Sequence, residues 1–257
     1  MSTPPSDKSV ECERYDRRAA QVLAGPGAAA LPAEGAGGIP VTLRAPYLVY
    51  EKHVLQHARP GVCVLDLCCG NGQHSLLPAR LGAIVTVSDI APSNVELTVA
   101  RGRAAGLPLT GVVADAEKLP FPNQSFDVVM VAGSISYVDF DAFFADVRRV
   151  LRPGGVFLFV DSLNHNPVYR FNRWRHYRRG ELTPSILRRM PTVATLDRIR
   201  QDFPDLQVSF HGIFSFMIPV LRPLGEERAA SLLDAMDLAL PWAGRFGFKV
   251  VGAGRMR

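Results

Sequence analysis

The stretch VLDLCCGNG, residues 64–72, decides the fold of this chain. An apolar run leads into two glycines that flank Asn71, a pattern that predicts a buried strand followed by a tight loop. Glycine lets a backbone approach a ligand closely, and the helix expected behind the loop offers free N–H groups. The stretch therefore predicts a ligand-binding loop at the end of a strand.

Apolar runs and helical patterns alternate outward from this loop. Strands are predicted at residues 62–67, 83–88, 110–114, 126–131, 156–160, 206–216 and 246–251. Continuous apolar strands separated by helices are typical of a parallel sheet covered on both faces, with right-handed crossovers. We therefore predict an α/β fold built on a doubly wound, mostly parallel, seven-stranded sheet.

The pattern also predicts how the chain is divided. We expect residues 1–60 to form an N-terminal helical lid and residues 61–257 to form the main domain. A basic, helical insertion is expected at about residues 164–202, after the fifth strand. Ligands of a doubly wound sheet bind beyond the carboxyl ends of its strands, so this insertion would lie close to the ligand.

Three acidic residues close successive strands of the predicted sheet. Asp66, Asp89 and Asp115 each follow an apolar run, so their carboxylates would meet at one edge of the sheet. A carboxylate at Asp89 can accept hydrogen bonds from a ribose diol. Asp115 can accept one from an adenine amino group, and the small Ala116 beside it leaves room for the ring. The three strand ends therefore predict an adenosine-containing ligand.

The glycine loop differs from that of dinucleotide-binding proteins. The fingerprint G-x-G-x-x-G would require a glycine at position 75, where this chain has Ser75. Asp66 would also repel a pyrophosphate, whereas it would attract a ligand with a cationic group. S-adenosylmethionine (SAM), which carries an ammonium, a sulfonium and no phosphate, meets both conditions.

Four segments give the chain a family resemblance. They are VLDLCCGNG (64–72), VSDIA (87–91), VVADAEKLPFPNQSFDVVM (112–130) and VLRPGG (150–155). In this order and spacing they resemble the class I SAM-dependent methyltransferases, and the last is typical of the branch that acts on small molecules. The resemblance implies a Rossmann-like methyltransferase fold and SAM as cofactor.

The resemblance also implies which residues bind the cofactor. Carried over position by position, they are Tyr15, Asp66, Gly70, Gly72, Asp89, Ile90, Asp115, Ala116, Ala132 and Ser134. Two departures from the family pattern stand out. Cys68 replaces the first glycine of the loop, and Ser136-Tyr137 replace a His-His pair found in many relatives, which leaves the presence of a base there in doubt.

Two residues are candidates for the chemical step. His165 lies shortly after the fifth strand, where it is a candidate general base for a substrate hydroxyl, with an ordinary surface histidine as the alternative. Tyr137 is the second candidate, because of its place after the fourth strand. Methyl transfer is an in-line displacement, so proximity and orientation can also suffice without a base.

The positive charge of the chain is concentrated in one segment. The net charge is +5, and residues 166–200 carry nine arginines against Glu181 and Asp197. Because arginine forks bind phosphate and carboxylate, we predict that Arg170, Arg173 and Arg175 bind an anionic acceptor. A solvated helix face and a nucleic-acid-binding strip are the alternatives.

Composition limits the remaining possibilities. Four cysteines include the adjacent pair Cys68-Cys69 and form no CxxC motif, which favours a reducing compartment and no metal site. The chain shows neither a secretory signal nor an apolar run of about 18 residues. We expect a cytoplasmic protein, a monomer or homodimer, without a membrane partner.

The sequence thus predicts a SAM-dependent enzyme that O-methylates a small polar metabolite, such as a sugar, nucleotide sugar or natural-product intermediate. N- or C-methylation of a small molecule is one alternative. The others are an RNA methyltransferase, disfavoured because the chain outside residues 166–200 is net acidic, and a non-catalytic SAM-binding protein.

Overall fold

The computed structural model describes residues 7–25, 35–180 and 182–257. Within these ranges the predicted strands form a single sheet. They are β1 Cys63–Leu67, β2 Ile84–Asp89, β3 Leu109–Val113, β4 Phe126–Ala132, β5 Leu151–Ser162, β6 Gln207–His211 and β7 Lys249–Arg255.

The sheet confirms the predicted fold. Its seven strands run in the order β3-β2-β1-β4-β5-β7-β6. The first five are parallel to one another, and β7 is antiparallel to both β5 and β6. Register brings Leu67 opposite Ser88 and Asp89 opposite Val113. The ends of β1, β2 and β3 therefore meet at one edge of the sheet, where the sequence places its carboxylates.

Ten helices are seen in the described ranges. They are α1 Asp7–Leu23, α2 Ala45–His57, α3 Leu76–Arg80, α4 Pro92–Ala104, α5 Phe140–Val150, α6 Pro167–Arg178, α7 Pro184–Arg189, α8 Val193–Asp202, α9 Ile218–Leu221 and α10 Glu226–Ala239. Proline begins α4, α6 and α7, where its missing N–H costs nothing and its fixed φ suits the first turn.

The sheet has an apolar core on each face, because successive strand residues point to opposite sides. Leu65 packs in one core with the phenylalanines of α5, and its neighbour Val64 packs in the other with Tyr50 of α2. The central strands are consequently buried on both faces, which explains their continuous apolar sequences.

Several boundaries differ from the prediction. The strand predicted at 206–216 ends at His211, because Gly212 takes a φ of 74° and turns the chain into a short 3₁₀ helix. Asp237 of α10 accepts hydrogen bonds from the N–H groups of Gly212 and Ile213 and fixes that turn. Part of the expected N-terminal lid segment, residues 1–6 and 26–34, lies outside the described residues.

Helix α1 lies against α4 and forms one wall of the cavity described below. The basic insertion folds as the three helices α6, α7 and α8. No helix within the described ranges combines the length and the apolar character needed to cross a membrane.

Candidate cofactor and acceptor site

The glycine loop after β1 turns sharply through left-handed residues. Cys68 and Gly70 both have a φ of 54°, and Gly72 has a φ of 78°. A Cβ on Gly72 would lie 2.8 Å from the Cγ2 atom of Thr98 on α4. Glycine is therefore required at position 72 to pack the loop on α4. This residue lines neither of the two cavities that are described below.

Asp66 is a buried carboxyl group beneath this loop. It is 2% exposed, and its Oδ2 atom accepts a hydrogen bond of 2.6 Å from the Ser75 hydroxyl. Burial raises the pKa of Asp66 to about 7, against the smaller opposing effect of the Ser75 hydrogen bond. A cationic group placed beside Asp66 would favour its ionised form.

The Asp89 carboxylate connects the loop after β1 to the loop after β2. Its Oδ2 atom accepts a hydrogen bond of 3.0 Å from the Gly70 N–H, and its Oδ1 atom accepts one of 2.9 Å from the Ala91 N–H. A carboxylate offers about four acceptor positions, so two remain for a ligand. The two backbone amides hold this side chain in a fixed orientation at the cavity wall.

Asp115, at the third strand end, is ion-paired with the N-terminal helix. Lys8 of α1 lies 2.7 Å from its Oδ2 atom and 2.8 Å from the Oε2 atom of Glu117. The Asp115 Oδ1 atom also accepts a hydrogen bond from the Glu117 N–H. A ligand amino group at Asp115 would share this carboxylate with Lys8.

These strand ends border a cavity of about 830 Å³, including its open mouth, which we call the first cavity. That volume is typical of small-molecule sites. Most of the cofactor residues implied by the resemblance line it together: Tyr15, Gly70, Asp89, Ile90, Asp115, Ala116, Ala132 and Ser134.

Tyr137, one of the two catalytic candidates, lies in the wall of the first cavity. Its hydroxyl is 2.9 Å from the hydroxyl of Tyr15, and the two rings meet edge to face. Burial raises the pKa of Tyr137 well above its usual range. The phenol therefore stays neutral near pH 7, where it can donate or accept a hydrogen bond but is poorly suited to act as a base.

Glu11 contributes a carboxylate to the first cavity that sequence reasoning missed. It is 7% exposed, its Oε2 atom is paired with Arg14, and its Oε1 atom has no hydrogen-bond partner among the described residues. Burial raises the pKa of Glu11. A half-satisfied buried carboxylate in a cavity is a candidate for proton transfer.

A second cavity of about 560 Å³ adjoins the first. The two share Cys68, Gly70 and Ala132, and Asp66 and His74 line the second alone. The His74 ring stacks on Tyr47 and meets Tyr50 edge to face. The Nδ1 atom of His74 and the hydroxyl of Tyr50 are both buried without a partner among the described residues. Such orphaned polar atoms fit a region that receives a polar group or water.

The two cavities together fit SAM. Asp66, in the second cavity, suits an ammonium group because its carboxyl is buried and no cationic partner of it is seen among the described residues. Asp89 and Asp115 in the first cavity offer acceptors to a nucleoside. No group of three or more His, Cys, Asp or Glu side chains in the described ranges is arranged to hold a metal ion.

The structure does not bring His165 to this site. Its Nε2 atom accepts a hydrogen bond of 3.0 Å from the N–H of Val193, the first residue of α8, and the residue lines neither cavity. An imidazole nitrogen that accepts this bond cannot at the same time take a substrate proton. The prediction of His165 as general base is thus replaced by a structural role at the start of α8.

The three predicted acceptor-binding arginines also lie outside both cavities. Arg173 is 7% exposed, and its guanidinium donates to the carbonyl of Leu163 and to Oδ1 of Asn164. It fixes α6 to the preceding loop instead of binding an acceptor. Arg170 and Arg175 are exposed on α6.

The residues that sequence reasoning missed carry a weak signal. Lys8, Glu11 and Cys12 line the first cavity with the predicted Tyr15, at the three- and four-residue spacing of one helix face. Polar residues at that spacing look like an ordinary solvated face, so the sequence alone gave no reason to place them at a site. Tyr47 and His74 have no such pattern.

Comparisons with known proteins find a methyltransferase domain in this chain. Residues 65–159 match a family model described as a methyltransferase domain. A fatty-acid O-methyltransferase of Mycolicibacterium smegmatis is 36% identical over 129 residues, which cover 49% of this chain and 45% of that protein. A phthiotriol/phenolphthiotriol dimycocerosates methyltransferase of Mycobacterium leprae is 38% identical over 128 residues, covering 49% and 47%. The chain thus matches these curated relatives over about half their length.

Solved structures share the fold over a larger part of the chain. The [4+2]-cyclase SpnF has a TM-score of 0.62 at 19% identity, covering 100% of this chain and 98% of its own. A geranyl diphosphate methyltransferase in complex with GPP and sinefungin has a TM-score of 0.56 at 20% identity, covering 83% and 79%. Residues 65–159 thus match a methyltransferase domain, and the seven-stranded sheet that contains them has the Rossmann-like methyltransferase fold.

Proposed function

We propose that this protein transfers the methyl group of SAM to an oxygen atom of a hydrophobic, lipid-like acceptor. The observation that carries the proposal is the pair of adjoining cavities that share Cys68, Gly70 and Ala132. One offers acceptors for a nucleoside, and the other contains the buried carboxyl of Asp66. A ligand that joins a nucleoside to an ammonium-bearing chain would fill both.

Each carboxylate has a distinct role in this proposal. Asp89, oriented by the Gly70 and Ala91 amides, accepts hydrogen bonds from the ribose hydroxyls. Asp115 and Ala116 border the adenine, and Asp66 pairs with the ammonium group. SAM supplies a methyl group on a positively charged sulfur, which makes that carbon electrophilic.

The protein's contribution to the transfer is orientation and proton removal. An in-line displacement needs the acceptor oxygen held in line with the breaking bond, so much of the rate can come from positioning. Tyr15 and Tyr137 form a hydrogen-bonded pair that can orient an acceptor hydroxyl. Glu11, with its unpartnered Oε1 atom in the same cavity, is the proposed group that takes the hydroxyl proton.

The choice of a hydrophobic acceptor rests on the position of three arginines and on the names of the relatives. The sequence favoured a polar or anionic acceptor because of Arg170, Arg173 and Arg175, and none of these lines the first or the second cavity. The names of the relatives mention a fatty acid and phthiotriol/phenolphthiotriol dimycocerosates. Both observations support a hydrophobic acceptor over a sugar or a nucleotide sugar.

Binding and turnover must be measured separately, because a protein with this fold is named a cyclase and fold alone does not fix the reaction. Calorimetry with SAM and S-adenosylhomocysteine tests the site. Asp89→Ala should weaken binding about tenfold to a hundredfold, the value of one hydrogen bond to a charged group. Asp127→Ala is the matched control. Asp127 also accepts a backbone N–H, but it lies at the amino end of β4, opposite the strand ends that border the cavities.

Turnover is tested with methyl-labelled SAM and a panel of fatty acids and hydroxylated lipids, set against sugars and short RNA. Label on a lipid oxygen supports the proposal. Label on nitrogen or carbon, or on a sugar or RNA only, would replace it with one of the other acceptor classes. Binding of SAM without label on any acceptor of the panel would favour a non-methylating protein on this fold.

A further inference from the structure

Helix α6 has two faces of different character. Its inner face is fixed to the domain: the Asn166 amide donates to the carbonyls of Ile213 and Phe246, and the Tyr169 hydroxyl donates to the carbonyl of Gly212. Arg173 on the same side is buried. These contacts hold the helix in place, so the residues of its outer face are not needed to keep it folded.

The outer face exposes large apolar side chains. Phe171 is 59% exposed, Trp174 is 50% exposed and Val168 is 44% exposed. Their spacing of three residues places neighbours on one side of the helix. Exposed aromatic residues on a soluble domain are costly unless a partner covers them, and a cluster of them marks an interaction surface.

Arginines follow the aromatics one turn later. Arg175 lies four residues after Phe171, and Arg178 lies four residues after Trp174, with its guanidinium 5.8 Å from the Trp174 ring centre. On α8, Arg198 and Arg200 are neutralised by Asp141 and Asp197. No such acidic partner is seen for Arg175 or Arg178 within the described residues, so the positive charge of this face is available to an anionic partner.

The geometry of the rings distinguishes a membrane from a nucleic acid. Phe171 and Trp174 stack on each other with centres 5.8 Å apart and an angle of 25° between planes. Arg178 also lies over the Trp174 ring. The stack and the guanidinium occupy ring face that a base would need, whereas an exposed aromatic pair beside guanidinium groups suits the boundary between phosphate headgroups and acyl chains.

We propose that the outer face of α6 docks this protein on an anionic phospholipid membrane. Phe171 and Trp174 enter the headgroup region, and Arg175 and Arg178 bind lipid phosphates, which their planar forks suit. This contact is peripheral and does not depend on the proposed reaction. It departs from the sequence-based expectation of a protein without a membrane partner.

The test uses the full chain and lipid vesicles. Co-sedimentation is measured with vesicles of phosphatidylcholine alone and with vesicles that also contain phosphatidylglycerol. Binding is expected to the mixed vesicles and to weaken as salt is added. In a Trp242→Phe variant Trp174 is the remaining tryptophan of the two in the chain, and its emission should shift to shorter wavelength on binding.

Paired variants distinguish vesicle binding by the outer face of α6 from binding by the positive charge of the chain as a whole. Arg175→Gln with Arg178→Gln should lower the binding constant about 25-fold, at about fivefold for each arginine near an anionic surface. Arg59→Gln with Arg103→Gln removes the same charge from exposed positions elsewhere and should change it less than about twofold. Phe171→Ser with Trp174→Ser should also weaken binding, whereas Leu238→Ser, at a position 81% exposed on α10, should not.

Thermal unfolding of each variant verifies that it is folded. Absence of binding to either vesicle type would overturn the proposal, as would equal losses in the α6 variants and their controls. Retention of RNA without vesicle binding would assign the surface to nucleic acid instead. A concentration-dependent dimer that the α6 variants abolish, without vesicle binding, would assign it to a second copy of the chain.

Discussion

Lys8 of α1 and Asp115 after β3, separated by 107 residues, form an ion pair with an N–O distance of 2.7 Å at the wall of the first cavity. Lys8 also contacts Glu117, so one side chain ties the N-terminal helix to the loop that the proposed adenine site uses. The Lys8 and Asp115 side chains are 30% and 37% exposed. Solvent therefore screens the pair, and its contribution is about 1 kcal/mol at most.

The first prediction concerns this contact. Lys8→Ala should speed both the entry and the release of S-adenosylhomocysteine by up to about fivefold, because α1 loses a tie worth about 1 kcal/mol. Stopped-flow displacement measures both rates. Arg17→Ala, which breaks an exposed pair with Glu13 on the same helix, is the control and should leave the rates unchanged. Slower release in Lys8→Ala would contradict the idea that the ion pair holds α1 against the loop after β3.

Asp66 gives the second prediction, a pH dependence of cofactor binding. Its pKa is raised to about 7 by burial, so near pH 7 a large share of the free protein carries the neutral carboxyl. An ammonium group binds the ionised form, so the affinity for SAM should rise with pH and level off above the pKa. The rise should be about tenfold between pH 6 and 8.

Calorimetry in two buffers of different ionisation enthalpy checks the same point, because binding should release protons below the pKa of Asp66. Asp66→Asn should bind SAM more weakly and flatten the pH profile. An unchanged slope in that variant would show that another group titrates, and a flat profile in the wild type would remove Asp66 from the ammonium site.

Much of the site was predictable because it depends on strand ends. The apolar runs set the strands, and the parallel register then brings Asp66, Asp89 and Asp115 to one edge whatever the helices do. Side-chain contacts between residues far apart in the chain leave no such signal in the sequence. Nothing near Lys8 indicates a partner 107 residues away, and nothing near His165 indicates that it binds the amide of Val193. Arg173 looked like a ligand because burial of an arginine inside a helical insertion cannot be inferred from its neighbours.

The third prediction tests the cysteine that replaces glycine in the loop. Cys68 has a φ of 54°, a conformation that costs a non-glycine residue about 1–2 kcal/mol. Cys68→Gly should relieve this strain while adding about 0.5–1 kcal/mol of backbone entropy cost, so we expect stability to change by less than about 1 kcal/mol. Cys68 lines both cavities, so the variant should also change SAM affinity.

Gln124→Gly is the matched control, because Gln124 has a φ of 55° and lines neither cavity. Chemical unfolding should give both variants a similar change in the free energy of unfolding, and only Cys68→Gly should alter the dissociation constant measured by calorimetry. Equal binding constants for the two variants would show that the thiol of Cys68 does not touch the cofactor.

The last prediction concerns the proposed base. Glu11→Gln keeps the size of the side chain and an oxygen that can accept from Arg14, but it cannot take a proton at pH 7. It should lower kcat for a hydroxyl acceptor about a hundredfold or more, the usual value of general base catalysis, with little change in SAM affinity. The wild-type rate should fall at acid pH, because burial raises the pKa of Glu11 and protonation removes the base. That acid limb should vanish in Glu11→Gln and persist in the control Glu13→Gln, whose side chain is exposed on the same helix. A kcat that Glu11→Gln leaves intact would show that orientation alone drives the transfer.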